Sequence, residues 1–432
     1  MVGLFASGTR ERLVLTRVAH ALRSCSPRGR AARYLAAALA LGFGTISLGV
    51  DLRDLDSSRV YDKDFVQEYV LARAIADRAA PYAPVQDLAA RYIAAQPDQP
   101  LTSGMGVELS LPTPHPPPVG LLFLPFALVD YRTAAWMWFG IELGLLVISV
   151  VLLGHEVGLR PSWLRAAPVA LVLIGWTPVR QELLLGQLSM LLLMLLAWAW
   201  LSMQSDRPIR TGLLLGVALA IKPVVWLVLP LLAIRRQWRT VAVAVIVVLL
   251  AYALAVVAIG PNQLMVYTRQ VLPAVNDMFA TSDRNFSLAG LIESRNRSEA
   301  GLVVSFALRL LLVLAALAAV RSCRRVETWL GLGICVSLLV NPISWDHYLL
   351  LSLPAWVHVG ANLIRQALPS RETAIAAIAA ALTSVPVGSW MLSVPLAFPL
   401  LEVGYAVSLL LLSWLMIRTD RAPNRRYASA FV

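Results

Sequence analysis

The chain has 432 residues, of which 58% are hydrophobic and only 14% charged, and its mean hydropathy is +0.70. A soluble protein of this length could not hide so much apolar surface, so lipid must be the solvent for most of it. The formal net charge of +12 marks cytoplasmic loops and not a nucleic-acid surface, because the basic residues stand in short clusters between apolar runs and form no continuous face.

The N-terminal segment 1–33 carries Arg10, Arg12, Arg17, Arg23, Arg28, Arg30 and Arg33 ahead of an apolar run that starts at Tyr34. That leader is long for a signal peptide, and the run ends in Val50-Asp51-Leu52 with no A-x-A-like site. It reads as an uncleaved first span. Further apolar runs follow at 134–153, 166–179, 183–203, 212–234, 239–260, 301–320, 328–343, 347–364, 373–392 and 397–417. The run from Pro117 to Val129 is too short to assign by length alone.

The basic clusters arbitrate. One threading keeps every cluster cytoplasmic: it makes 117–130 interfacial or re-entrant and splits 212–234 at Lys222-Pro223. Proline removes a helix hydrogen bond there, and a lysine amid hydrocarbon must reach water or an anion. The expectation is an all-α polytopic protein of about twelve spans. Residues 34–417 then form one membrane domain between two cytoplasmic ends, the second being the tail 418–432. The extracytoplasmic side holds two long loops, 52–116 and 261–300. A plasma-membrane location follows.

Within the first loop, Asp54, Asp56 and Asp62 lead to Asp64, after which Phe65, Tyr69, Ala72 and Ala76 share a helical stripe. This predicts a helix lying on the membrane surface. Two roles stay open for Asp64: an N-cap, which aspartate favours, or a carboxylate that takes part in chemistry. His115 and the prolines after it form the entry to the next apolar run, where the prolines fit simple helix punctuation. Other polar residues stand at membrane level on the same side: Arg180, Gln181, Glu182 and Gln187; Lys222; Arg284 and Asn285; and Asn341, Trp345, Asp346, His347 and Tyr348. Singly each fits a satisfied interfacial side chain. Together they put acids, amides and cations on one face, which points to a site.

No P-loop, dinucleotide fingerprint or H-E-x-x-H is present. The histidines lack ligand spacing and the three cysteines are scattered, so neither a metal nor a cofactor is expected. A lipid-borne phosphate needs only a nearby cation, and a carboxylate can deprotonate an acceptor hydroxyl.

The ordered blocks DFVQEY, PY, HPPPVGLLFLPFAL, ELLLGQLSMLLLMLL, GLLLGVALAIKP, RNFSLAGL and NPISWDHYLLL resemble glycosyltransferase family 87, from about Asp64 to Pro354. These are actinobacterial mannosyltransferases of the GT-C class that use polyprenyl phosphate mannose. The resemblance implies inverting transfer from a β-linked lipid donor to a mannolipid or glycan hydroxyl outside the cytoplasm. The family's base falls on Asp64, although Tyr69 stands one residue later than the D-F-x-x-Y block expects, which keeps Asp62 as a rival. The resemblance sets His347 at the sugar site, with Tyr348 where the family commonly shows a second histidine. Position and charge nominate Lys222, Arg180 and Arg284 for the donor phosphate, and Gln187 and Asn285 join them as substrate-binding candidates. Membrane lipids complete the expected partners. The competing readings are a lipid-linked sugar flippase, which predicts mid-membrane charges on both faces, and the same enzyme class using another sugar such as arabinose. Apart from Glu142, the charges gather towards one face.

Overall fold

A computed structural model describes residues 27–93, 110–156, 162–282, 284–366, 370–384 and 397–421. Among these residues there is no strand, only an isolated bridge between Pro84 and Pro112. Five helical stretches are long and apolar enough to cross a membrane: Tyr34–Asp56, Tyr131–His155, Trp238–Ile259, Glu299–Ser322 and Leu400–Arg421. The helices Trp163–Ile174, Ser189–Gln204, Pro208–Ile221 and Val326–Val340 are apolar but shorter. The protein is therefore helical and built for lipid. Large side chains such as Leu249, Leu254 and Val257, or Val303, Phe306 and Leu311, project outwards from two of the long helices, as lipid contact permits.

The elements that position the site come from the first half of the chain. Helix α1 (Pro27–Asp56) runs into a 3-10 turn (Ser58–Asp62) and then α2 (Phe65–Ala76). Helix α2 is not a surface helix with one apolar stripe: Phe65, Val66, Glu68, Tyr69, Val70, Leu71, Ala72, Ala74 and Ile75 are all buried. It is covered by the run after His115. Pro117 and Pro125 break that run into a short helix, α3 (Pro117–Leu122), and a 3-10 turn (Leu124–Leu128), and both pieces pack on α2. An aromatic knot fastens the join. The Phe65 ring stacks on Trp138 at 6.2 Å between centroids, and Phe123 meets Trp138 edge-on at 4.8 Å. Such pairs contribute about 0.5–1.5 kcal/mol each beyond their buried area.

The expected span 166–179 divides. One helix stops at Ile174, and α4 (Thr177–Leu185) begins anew with Pro178 in its first turn, where a missing N–H costs nothing. Helix α5 (Pro208–Ile221) ends directly before Lys222-Pro223, followed by a 3-10 turn and the short helix Val228–Ile234. The proline removes the bond that would continue α5. Within α5, Gly212 and Gly216 let it approach α6 (Trp238–Ile259) closely, since a Cβ on Gly216 would lie 2.6 Å from Val247 Cβ. Without a hydrophobic drive between helices in lipid, such backbone approach is what holds them together.

The stretch expected to span at 347–364 starts as a 3-10 turn (Asp346–Ser352) and becomes helical at Leu353. The expected span 373–392 is seen as the helix Ser370–Thr383, and its last part, 385–392, lies outside the described residues, as do Cys25 and most of the N-terminal arginines.

Overpacking of a tight contact typically costs about 1–3 kcal/mol. Gly216→Val should lower the thermal unfolding midpoint in detergent. Gly140→Val, at a position with no heavy atom within 4 Å of the added carbon, should leave it nearly unchanged.

Candidate functional site

The site is built on the first turn of α2. Asp64 stands at the N-cap position, yet its side chain makes no capping bond, and its backbone is itself helical at φ −60° and ψ −24°. Its carboxylate faces inward, only 8% of the residue being exposed. Oδ2 accepts a 2.6 Å hydrogen bond from Gln187 Nε2, and Oδ1 is buried without a partner. Asp62, by contrast, ends the 3-10 turn with its side chain exposed.

Gln187 hands the contact on. Its Oε1 accepts from Lys222 Nζ at 3.1 Å. The amide orientation is fixed chemically, because a carboxylate can only accept and an ammonium can only donate. Lys222 sits over the Tyr348 ring, 4.5 Å from its centroid, and the His347 ring meets Tyr348 edge-on at 4.6 Å. The helix break at Lys222-Pro223 is tied to the turn before His347. Asn341 Nδ2 donates to the Val224 carbonyl at 2.8 Å, and Trp226 Nε1 donates to Asn341 Oδ1 at 3.0 Å.

Four of the expected residues thus meet in one series: Asp64, Gln187, Lys222 and, through Tyr348, His347. The other three stand differently. Arg180 is half-buried and lies in electrostatic range of Asp51 at the end of α1. Arg284 has an exposed side chain on the loop before Asn285. Asn285 is fully buried and its amide is engaged within the protein. Nδ2 donates to the carbonyls of Phe279, Ala280 and Pro342, and Oδ1 accepts from the N–H groups of Ser287 and Ser344. It clamps two loops together.

Glu68 and Lys63, which sequence reasoning did not select, and Glu182, which it noted among the polar residues at membrane level, complete the surroundings. Glu68, one helical turn beyond Asp64 on the same face of α2, is wholly buried, and its Oε1 lies 2.9 Å from His115 Nε2. Lys63 donates to the carbonyls of Leu183 and Leu184, both at 2.8 Å. Glu182 Oε1 accepts from the N–H groups of Ser189 and Met190. The spacing of Asp64 and Glu68 was the available signal for Glu68. Among the described residues no three histidine, cysteine or acidic side chains converge as a metal site would require.

Burial pushes the Asp64 carboxyl up to about 6; the Gln187 hydrogen bond opposes this, the Glu68 carboxylate adds to it, and His115 and Lys222 pull the other way. The arrangement offers a carboxylate that ionises near neutrality, one open oxygen, and a cation linked to it by an amide.

Glycosyltransferase family 87 matches residues 114–342, more than half of the chain. The chain belongs to glycosyltransferase family 87. The matched stretch takes in Gln187 and Lys222, while Asp64 and His347 lie outside it. Among curated relatives of this family member is the polyprenol-phosphate-mannose-dependent alpha-(1-2)-phosphatidylinositol mannoside mannosyltransferase of Mycolicibacterium smegmatis. It is 30% identical over 278 residues, 58% of this chain and 62% of the relative. The protein of the same name from Mycobacterium tuberculosis is 28% identical over 272 residues, 59% of this chain and 63% of that one. This chain therefore matches less than two thirds of the length of either. No solved structure matches it.

The carboxyl can be followed without substrate. In infrared difference spectra against Asp64→Asn, a protonated carboxyl band should appear as the pH falls through about 6. Because the Gln187 amide favours the ionised form, Gln187→Leu should move that midpoint upwards. An unmoved midpoint would remove Gln187 from the site.

Proposed function

We propose that this protein is an inverting membrane mannosyltransferase that takes mannose from polyprenyl phosphate mannose and gives it to a hydroxyl of a glycolipid or glycan. The observation that carries this reading is the series Asp64–Gln187–Lys222, a base and a cation joined by one amide. Asp64 accepts the proton of the acceptor hydroxyl on its open oxygen, and the hydroxyl oxygen attacks the anomeric carbon from the face opposite the phosphate. The bond from that carbon to the phosphate oxygen breaks, and its electron pair leaves on polyprenyl phosphate. The β-linked donor gives an α-mannoside. A phosphate leaves well without protonation, so the protein's work is to remove a proton and to offset the phosphate charge, for which Lys222 is placed. His347, behind Tyr348, is assigned to the sugar.

The relatives' names supply the donor and, as an acceptor of the same class, a phosphatidylinositol mannoside. The membrane frame that goes with this is a GT-C arrangement of about twelve spans. Both ends are cytoplasmic and the site is extracytoplasmic on the plasma membrane. Neither metal nor cofactor takes part in this reading.

Purified protein given polyprenyl phosphate mannose and a panel of mannolipids should form a mannosylated product, unchanged by EDTA. Asp64→Asn should keep donor binding and lose turnover by on the order of 10²–10⁴. Normal product from that variant would reject Asp64 as the base. Movement of labelled donor across liposomes with no glycoside formed would support a transporter instead.

A further inference from the structure

We propose that Lys63 is a positioning residue for the base. Its ammonium fixes the turn at Gly186-Gln187, and through the Gln187 amide it sets the position of the Asp64 carboxylate. This rests on the reading of Asp64 as the base, but it has a test that needs no turnover.

Lysine is rarely buried without a carboxylate bonded to it, yet Lys63 is only 4% exposed and both of its named hydrogen bonds go to backbone carbonyls. Leu183 and Leu184 lie in the last turn of α4, where carbonyls lack partners in the helix and the helix dipole favours a cation. The acids around the ammonium are Asp51 and Asp54 from α1, Glu142 from the helix Tyr131–Glu156, and the adjacent Asp64. They supply field, not a bonded partner.

Immediately after this anchored turn, Gly186 closes α4 in the left-handed region at φ 69°. Its N–H donates to the Glu182 carbonyl at 2.8 Å, and its own carbonyl accepts from Trp138 Nε1 at 3.0 Å. A Cβ on Gly186 would lie 3.1 Å from Phe65 Cβ, so the turn is pressed against the first residue of α2. Gln187 leaves this turn and donates to Asp64. The links form a closed ring: the Lys63 side chain, the end of α4, Gly186, the Gln187 side chain, Asp64, and the peptide bond back to Lys63. Adjacent residues of one chain hold the two ends of the same turn. A ring of this kind keeps the carboxylate and its amide donor in register.

A lysine that merely stabilised the fold would alter unfolding without altering how Asp64 meets Gln187. The groups in range of Asp64 are Gln187, Glu68, His115, Lys222, Tyr131, Tyr348 and Lys63 itself, and the test changes only Gln187 and Lys63. The full-length protein in detergent is prepared as wild type, Lys63→Met, Gln187→Leu and the double variant. The Asp64 carboxyl band is titrated in each. Losing the amide donor raises the midpoint by about one pH unit. Lys63→Met is expected to raise the midpoint at least as far as Gln187→Leu does, and the double variant to fall well short of the sum of the two, the remainder being the lost Lys63 charge. If Lys63 acted on Asp64 by charge alone, its effect would add to that of Gln187→Leu, and the proposal would fall. It falls equally if Lys63→Met leaves the midpoint in place. Lys63→Arg, which keeps a cation with several donors, should restore the wild-type midpoint in large part. Should Lys63→Met not accumulate, Lys63→Gln carries the same readout, its shorter neutral amide keeping two N–H donors but not the reach or charge of the ammonium.

Where transfer is measured as well, Lys63→Met should lower kcat by on the order of tenfold to a hundredfold, with the KM for polyprenyl phosphate mannose within about twofold. Wild-type protein that moves no mannose would overturn the function proposed above. The band titration would still decide the role of Lys63.

Discussion

A carboxylate removed from water must receive something in exchange, and the fold supplies Asp64 with a single amide donor while leaving its second oxygen open. Everything near the site follows from holding that bargain steady. On one side of Asp64 the Lys63 side chain reaches the end of α4; on the other, Phe65 is stacked into the aromatic knot around Trp138. Trp138 in turn donates to Gly186. The residues before and after Asp64 are therefore fixed to the same turn that presents Gln187. A carboxylate with an open buried oxygen destabilises a protein, and here the surrounding packing offsets that cost.

Lys222 depends on a different constraint. A lysine within an apolar run needs a place where the helix is interrupted, and Pro223 provides it by ending α5 at Ile221. The interruption exposes backbone groups that must be satisfied inside the protein, which is why Asn341 bonds the Val224 carbonyl. That bond draws the turn before His347 up to the break, and Tyr348 comes to lie beneath the ammonium. One proline thus explains both the location of the cation and the company it keeps.

Gln187 and Lys222 were legible in the sequence because each is a polar residue standing at membrane level, whereas Asp64, one of several acids in an exterior loop, stood out only through the family resemblance. The helical character and the break at Lys222 were legible for the same reason: they follow from local chemistry. Glu68 and His115 were hidden by their settings. Glu68 lies on a helix whose visible stripe was apolar, and His115 was absorbed into a run of prolines that already had a structural purpose. Lys63 was hidden because its partners are backbone carbonyls about 120 positions away, which side-chain patterns cannot reveal. Position and charge chose Asn285 and Arg284 as well. The structure engages the Asn285 amide as a loop clamp and leaves the Arg284 side chain exposed. The burial of α2 was also invisible, since its cover comes from a segment that two prolines fold back onto it.

Glu142 stood apart in the sequence as an acid in the middle of an apolar run, the feature that most favoured a carrier of charge across the membrane. In the fold it is buried one turn from Trp138, and Lys63, Glu182 and Glu68 lie in its electrostatic range. It therefore joins the same polar region as Asp64, and does not start a second region farther along the membrane. A carrier needs charged groups that two openings can reach in turn. The ionisable groups around Glu142 instead converge on the turn at Gly186 and the start of α2, which suits chemistry performed at a single place.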